Sequence, residues 1–252
     1  MRSITTIEEV QAMISQGVIK GCHFKELSWA EIQAENLIFE QCLFESNNFA
    51  SAELKSLEAY RCQFQHSKFA HANLTEAIFD GCQFYEVKSN KSADFSYAHL
   101  KYAKFLDCDL SQVSFKSAEL FGITIKGCKA IAADFEQANF CNKISPKVVF
   151  AQAEITDSIL RFSRFPKAFL AECRLSGNDF TEADFERANL AQADLSHCLL
   201  NGAIMIQASL EGANIQGAEV NDLELTGAKL QDLVLSTDQC IPFLNLFGIV
   251  VA

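Results

Sequence analysis

Large apolar side chains return along this chain every fifth residue. From Phe24 they fall at Trp29, Phe39, Phe44, Phe49, Leu54, Phe64, Phe69, Leu74, Phe79 and Phe84. After a gap of eleven residues the spacing resumes at Phe95 and holds to Leu235, which implies that one extra residue has entered between the two runs. Together the runs contain 42 such positions, and only Ala34, Ala59, Ala130 and Ser145 among them are not large and apolar. A second register, two residues earlier, is Ala, Cys or Ser at 30 of the 42. The unit therefore reads small, polar, large, polar, polar, as in Ala183-Asp184-Phe185-Glu186-Arg187.

Neither regular element accepts this period. An α-helix turns about 100° per residue, so a step of five walks around the cylinder and leaves no apolar face. A continuous strand alternates sides, so a step of five puts successive phenylalanines on opposite faces. Residues two apart on a short strand do share a face. A bend after each unit can then bring the next pair inward again. The pattern predicts a coil of short straight sides with a turn at each corner, stacked so that neighbouring coils pair at about 4.8 Å. Cys22, Cys42, Cys62 and Cys82 are 20 residues apart, as are Cys108 and Cys128, which predicts four units per coil. Forty-two units then make about ten and a half coils, a rod of about 50 Å.

Composition agrees with this reading. Seventeen of the 22 phenylalanines sit in the five-residue register. Eight of the ten cysteines fall in the small inward register and read as reduced packing residues, while Cys141 and Cys240 lie outside it. The chain has 21 Lys+Arg against 32 Asp+Glu, a formal charge of −11, which excludes a chain-wide basic footprint for nucleic acid. No apolar run approaches the ~18 residues of a membrane span, and no apolar leader follows Met1.

Charge is uneven. Residues 177–252 hold eleven acids against only Arg187 and Lys229, so nine of the eleven net negative charges lie there. At outward positions, Asp179, Glu182, Asp184, Glu186, Asp194, Glu211, Glu219, Asp222 and Glu224 are expected to coat the last coils.

The ends and two interruptions depart from the repeat. Residues 5–16 read as a short helix, with Thr5 or Thr6 as N-cap, Glu8 or Glu9 completing a capping box and Gly17 following. Residues 1–21 are thus expected to form a helical cap on a repeat domain spanning 22–235. From Ser236 or Asp238 a second helix is expected, with Pro242 in its first turns and Gly248 at its close. Its apolar residues Ile241, Phe243, Leu244, Leu246 and Phe247, with Ile249 and Val250 beyond, are too many for one cap and predict a homodimer through residues 236–252. The first interruption, 85–92, carries Tyr85, Glu86, Lys88, Ser89, Asn90 and Lys91. The second, 142–148, carries Asn142, Lys143, Ile144, Ser145, Pro146 and Lys147, and is expected to bulge because Lys143 cannot be buried unpaired.

Units such as AHANL, TEADF, ERANL and AQADL resemble the pentapeptide-repeat family. That resemblance implies an all-β fold, a right-handed quadrilateral β-helix, with short helices capping its ends. The stretches GCQFYEVKSNKSADFSYAHL, CDLSQVSF, LFGITIKGCKA, ADFEQANF and LFGIVVA narrow it to the Qnr quinolone-resistance proteins, with both interruptions in the places of that family's loops. It implies a bacterial protein that binds DNA gyrase and topoisomerase IV and relieves quinolone inhibition, with the loops required and the C-terminal helix as dimer cap; the reduced packing cysteines add the expectation of a cytoplasmic location. About two extra coils and a helix precede the matching region. On this reading the acidic dimer centre would dock where duplex DNA docks, through the same long-range field. Two other classes stay open: a scaffold or effector repeat protein with an unrelated protein partner, and an enzyme. Catalysis has little support. His23, His66, His71, His99 and His197 are scattered over outward positions, no phosphate-binding glycine loop or hydrolase elbow occurs, and no cofactor, metal, membrane or direct nucleic-acid contact is expected.

Overall fold

The computed structural model describes residues 1–145 and 148–251, and its core is the predicted coil. Backbones pair in parallel with a constant step. One column runs Ser3, His23, Leu43, Gln63, Gln83, Asp109, Lys129, Ile159, Asp179, Leu199, Glu219, each residue bridged to the next. The step is 20 residues except at two places. It is 26 between Gln83 and Asp109 and 30 between Lys129 and Ile159.

Those two exceptions correct the sequence reading of the interruptions. The first insertion is six residues, not one, because counting phase by fives hides a whole unit. Phe84 and Phe95 are therefore neighbours around one coil, with ring centroids 5.3 Å apart. The second insertion is ten residues, two whole units, which is why the register looked unbroken. Phe150 sits in that register but is not in the core; it is 36% exposed.

Many corners are tight turns closed by an i to i+3 hydrogen bond. Ala193 N–H donates to the Leu190 carbonyl at 3.0 Å, with Gln192 at φ 57°. A positive φ in the third position is the mark of a type II turn, which favours glycine. Among the described residues 29 non-glycine residues take such a φ, most of them at corners, so the stacking around them must outweigh a cost of the order of 1 kcal/mol at each. The stabilisation comes from inside. Phe49, Phe69, Phe95 and Phe115 stack face to face with centroids 4.5–5.5 Å apart, and the next column side meets them edge-on. These rings are buried completely or nearly so.

The predicted cysteine column is present and buried. It continues as Cys22, Cys42, Cys62, Cys82, Cys108, Cys128, Ser158, Asn178 and Cys198. Backbone N–H groups of Cys108, Cys128 and Ser158 donate to the side chains one rung on, Cys128 Sγ, Ser158 Oγ and Asn178 Oδ1. Burial pushes the Cys198 thiol, and Cys173 on another side, up to about 12.

The N-terminal helix is Ile7–Ile14, and Thr6 caps it by accepting the Glu9 N–H at 3.4 Å. Val10 and Met13 close the first coil. The coil itself begins before the expected boundary at residue 22. Arg2–Ile4 pairs with Cys22–Lys25, and Val18–Lys20 pairs with Ile38–Glu40, so the helix replaces the missing sides of an incomplete first coil. At the other end a 3-10 turn, Thr237–Gln239, leads into the helix Cys240–Asn245. Gln239 is buried and its amide donates to the carbonyls of Ile215 and Ala218, both at 2.7 Å.

Candidate functional site: two hairpins and an acidic end

Both insertions fold as antiparallel hairpins that leave the coil at corners. Tyr85–Glu86 pairs with Lys91–Ser92, and Cys141–Ser145 pairs with Val148–Ala151. The first emerges in the corner column that contains His66 one rung before and Gln112 one rung after. The second emerges in the column of Tyr102 and Gly122. The four corners of a coil are five residues apart, so these two columns are diagonally opposite.

Polar contacts hold the first hairpin. Ser89 Oγ donates to Glu86 Oε2 at 2.6 Å, and His66 Nε2 lies 2.6 Å from Ser89 Oγ and 2.9 Å from Glu86 Oε2. Tyr85 Oη and Gln112 Nε2 both donate to Asn90 Oδ1, at 2.8 and 3.1 Å. Ser92 Oγ donates to the Gln112 carbonyl at 2.7 Å. The Ser89 hydroxyl, with His66 beside it, holds the Glu86 carboxyl below its usual range. Lys88 and Lys91 are exposed, and neither takes part in an ion pair among the described residues.

An aromatic row holds the second. Phe150 meets Phe121 edge-on at 5.3 Å, and Phe121 meets Tyr102 edge-on at 5.6 Å. Phe121 occupies an outward motif position yet is buried, because the hairpin covers it. The repeat pattern alone assigns Phe121 to the surface; a phenylalanine at an outward position directly before a glycine is the signal in the sequence. The Gly122 N–H donates to the Gln152 carbonyl at 2.7 Å, tying the hairpin base to the rung below. Asn142 and Lys143 are exposed, as the bulge required. Ile144 and Ser145 lie on the strand, and Pro146 and Lys147 fall outside the described residues.

The acidic residues of the last coils divide into two kinds. Asp184 accepts the Glu186 N–H at 2.9 Å and Asp194 the Ser196 N–H at 3.1 Å. Asp179 and Glu224 likewise accept from Thr181 and Thr226. These four close corners, which is the physical reason for Asp or Asn at this motif position: the side chain satisfies an N–H that the turn would leave free. Burial raises the Asp179 carboxyl, but the Thr181 hydroxyl and the Arg161 guanidinium outweigh it and hold it below its usual range. Glu182, Glu211, Glu219 and Asp222 are exposed, and Glu186 is half-buried with its carboxylate 3.5 Å from the Arg187 guanidinium. Glu182 and Asp222 stand at corners with positive φ, but none of these five side chains accepts a corner N–H among the described residues.

At the C-terminus, Phe243 packs on the core while Leu244 and Leu246 are half-buried. Ile241, Phe247, Ile249 and Val250 are exposed, Val250 at 86%. Among the histidines, His71 stacks on Tyr97 at 5.0 Å and takes no part in the His66 cluster. Among the described residues no group of three or more His, Cys, Asp or Glu is placed to hold a metal ion, and no helix is long and apolar enough to cross a membrane.

Two family models match, a pentapeptide repeat region over residues 58–135 and pentapeptide repeats over 153–192 and 193–232. The quinolone resistance pentapeptide repeat protein QnrB96 of Scandinavium goeteborgense is 41% identical over 95 residues, 38% of this chain and 44% of that protein. QnrB4 of Escherichia coli is 40% identical over a stretch of the same length and coverage. The alignments thus span less than half of these relatives. Two solved structures of QnrB1, a plasmid-mediated fluoroquinolone resistance protein, extend the likeness. A trypsin-treated form is 28% identical with a TM-score of 0.69, covering 91% of this chain and 98% of that one. The full-length form is 26% identical with a TM-score of 0.58, covering 92% of this chain and all of that one. With its parallel coil, its corner-capping aspartates and these matches, the chain belongs to the pentapeptide-repeat family and is Qnr-like within it.

Proposed function

We propose that this chain is a non-enzymatic, cytoplasmic protein that binds the bacterial type II topoisomerases DNA gyrase and topoisomerase IV and protects them from quinolones or from gyrase toxins. The likeness to QnrB1 over nearly the whole of that chain carries the reading. The acidic last coils support a DNA-mimicking contact, because surfaces built for duplex phosphate attract a rod of the same sign. The exposed Ile241, Phe247, Ile249 and Val250 support a homodimer that brings two acidic ends together.

A gyrase supercoiling assay in ciprofloxacin tests the function. Added protein is expected to restore supercoiling, and no restoration at any concentration would overturn it. Reversing Glu182, Glu186, Glu211 and Glu219 to lysine tests mimicry without touching the corner-capping aspartates. Affinity for gyrase should fall at least about tenfold, with a weaker salt dependence. Unchanged affinity would remove the acidic surface from the mechanism. Solution mass, before and after Phe247→Asp, tests the dimer.

A further inference from the structure

The first hairpin has little of its own to keep it in one shape. Each strand is two residues long, its turn is exposed, and Val87 at the tip is 75% exposed. A two-stranded hairpin of that size is marginal in water by itself. Its order must come from what it touches on the coil.

What it touches lies in one corner column, where the stacking step places a residue below and a residue above the point of exit. His66 is below. The single Ser89 hydroxyl proton is directed to Glu86, so the His66 Nε2–H is the donor toward Ser89 Oγ and Glu86 Oε2. Gln112 is above. Its side-chain amide donates to Asn90 Oδ1, the same oxygen that holds Tyr85, and its carbonyl receives Ser92 Oγ. Both residues stand in the left-handed region, at φ 51° and 57°, which projects their side chains from the corner beside the hairpin.

We infer that His66 and Gln112 are positioning residues that clasp the hairpin of residues 85–92 from the rungs on either side and hold it in its partner-binding shape. The link to partner binding rests on the topoisomerase reading above; the clasp itself does not. Neither residue belongs to the interruption or to the apolar core, so a variant at either leaves the coil intact.

The test uses the full-length chain and trypsin, whose cleavage after Lys88 and Lys91 speeds up as the hairpin opens. In the double variant His66→Ala with Gln112→Ala, cleavage in the hairpin should speed up about tenfold or more, the fold-change expected when such hydrogen bonds are lost. The melting temperature should stay near that of the parent. The protein concentration needed to protect gyrase from ciprofloxacin should rise in proportion. His66→Gln keeps a donor at the same reach and should recover most of the lost resistance to cleavage, a rescue that a packing role would not give. Unchanged cleavage in the double variant would overturn the clasp. Faster cleavage with undiminished protection would overturn its role in partner binding. If the parent protein gives no protection at all, the topoisomerase reading fails while the cleavage ratio still decides the clasp.

Discussion

The two hairpins leave the same coil and are held to it by opposite chemistry. The first is tied by hydrogen bonds from His66 and Gln112 to Ser89, Glu86 and Asn90, all at the water boundary. The second lies on a buried phenylalanine, with Phe150 and Tyr102 both in edge-on contact with Phe121. The neighbouring corner residue explains the difference. Where His66 and Gln112 offer polar arms, the second hairpin faces Gly122, whose missing side chain leaves room for the Tyr102 ring. An insertion thus takes its character from the corner residues one rung away.

The largest effect should come from Phe121→Ala. It removes a buried ring that nothing else can replace and should cost about 3 kcal/mol in chemical denaturation. Hydrogen exchange should rise in the second hairpin and not in the first; a uniform rise would mean that Phe121 serves the coil in general. Next comes Gly122→Ala. A Cβ there would clash with the Tyr102 ring, well inside van der Waals contact, at a φ of +74°, so a loss of about 2 kcal/mol is expected. Pairing it with Tyr102→Ala should relieve the clash but not the backbone strain.

A pH titration separates the hairpins more gently. Glu86 has a lowered carboxyl pKa in the folded chain, first through Ser89 and then through His66. A lowered folded pKa means stability that is present above the ordinary carboxylate range and lost as pH falls through the folded value. Trypsin-independent probes of the first hairpin, such as amide exchange at Ser89 and Asn90, should therefore show opening as pH falls below the ordinary carboxylate range. The second hairpin, which is held by ring contacts and not by a carboxylate, should hold over the same range. The smallest effect is Ser89→Ala, which should raise exchange in the first hairpin a few-fold and leave the melting temperature alone.

Most of the coil was legible because its period is short and its core strict. Phe24, Trp29 and the residues that follow them announce four inward sides per coil, and the cysteine column gives the step of 20. What the period could not show was the length of an insertion. Six residues and one residue leave the same phase, and ten leave none, so Phe150 passed for a core residue. Nor could the pattern reveal that Asp179, Asp184, Asp194 and Glu224 close corners, since an outward acid reads as surface until its hydrogen bond is seen. The first strand, Arg2–Ile4, is too short to carry any period, and only its pairing with Cys22–Lys25 exposes it. The hairpins' fastenings were hidden for a related reason. His66 and Gln112 are 46 residues apart in the chain and two rungs apart in the column, a nearness that the insertion between them disguises.

The exit of the hairpins at diagonal corners has a consequence for any partner. The corner of residue 92 and the corner of residue 152 are two and a half coils apart, about 12 Å along the axis, and face away from each other across the square section. No flat wall can meet both hairpins simultaneously. A body that engages the pair must have a trough wide enough to admit the shaft, or must close on it from two flanks like the jaws of a vice.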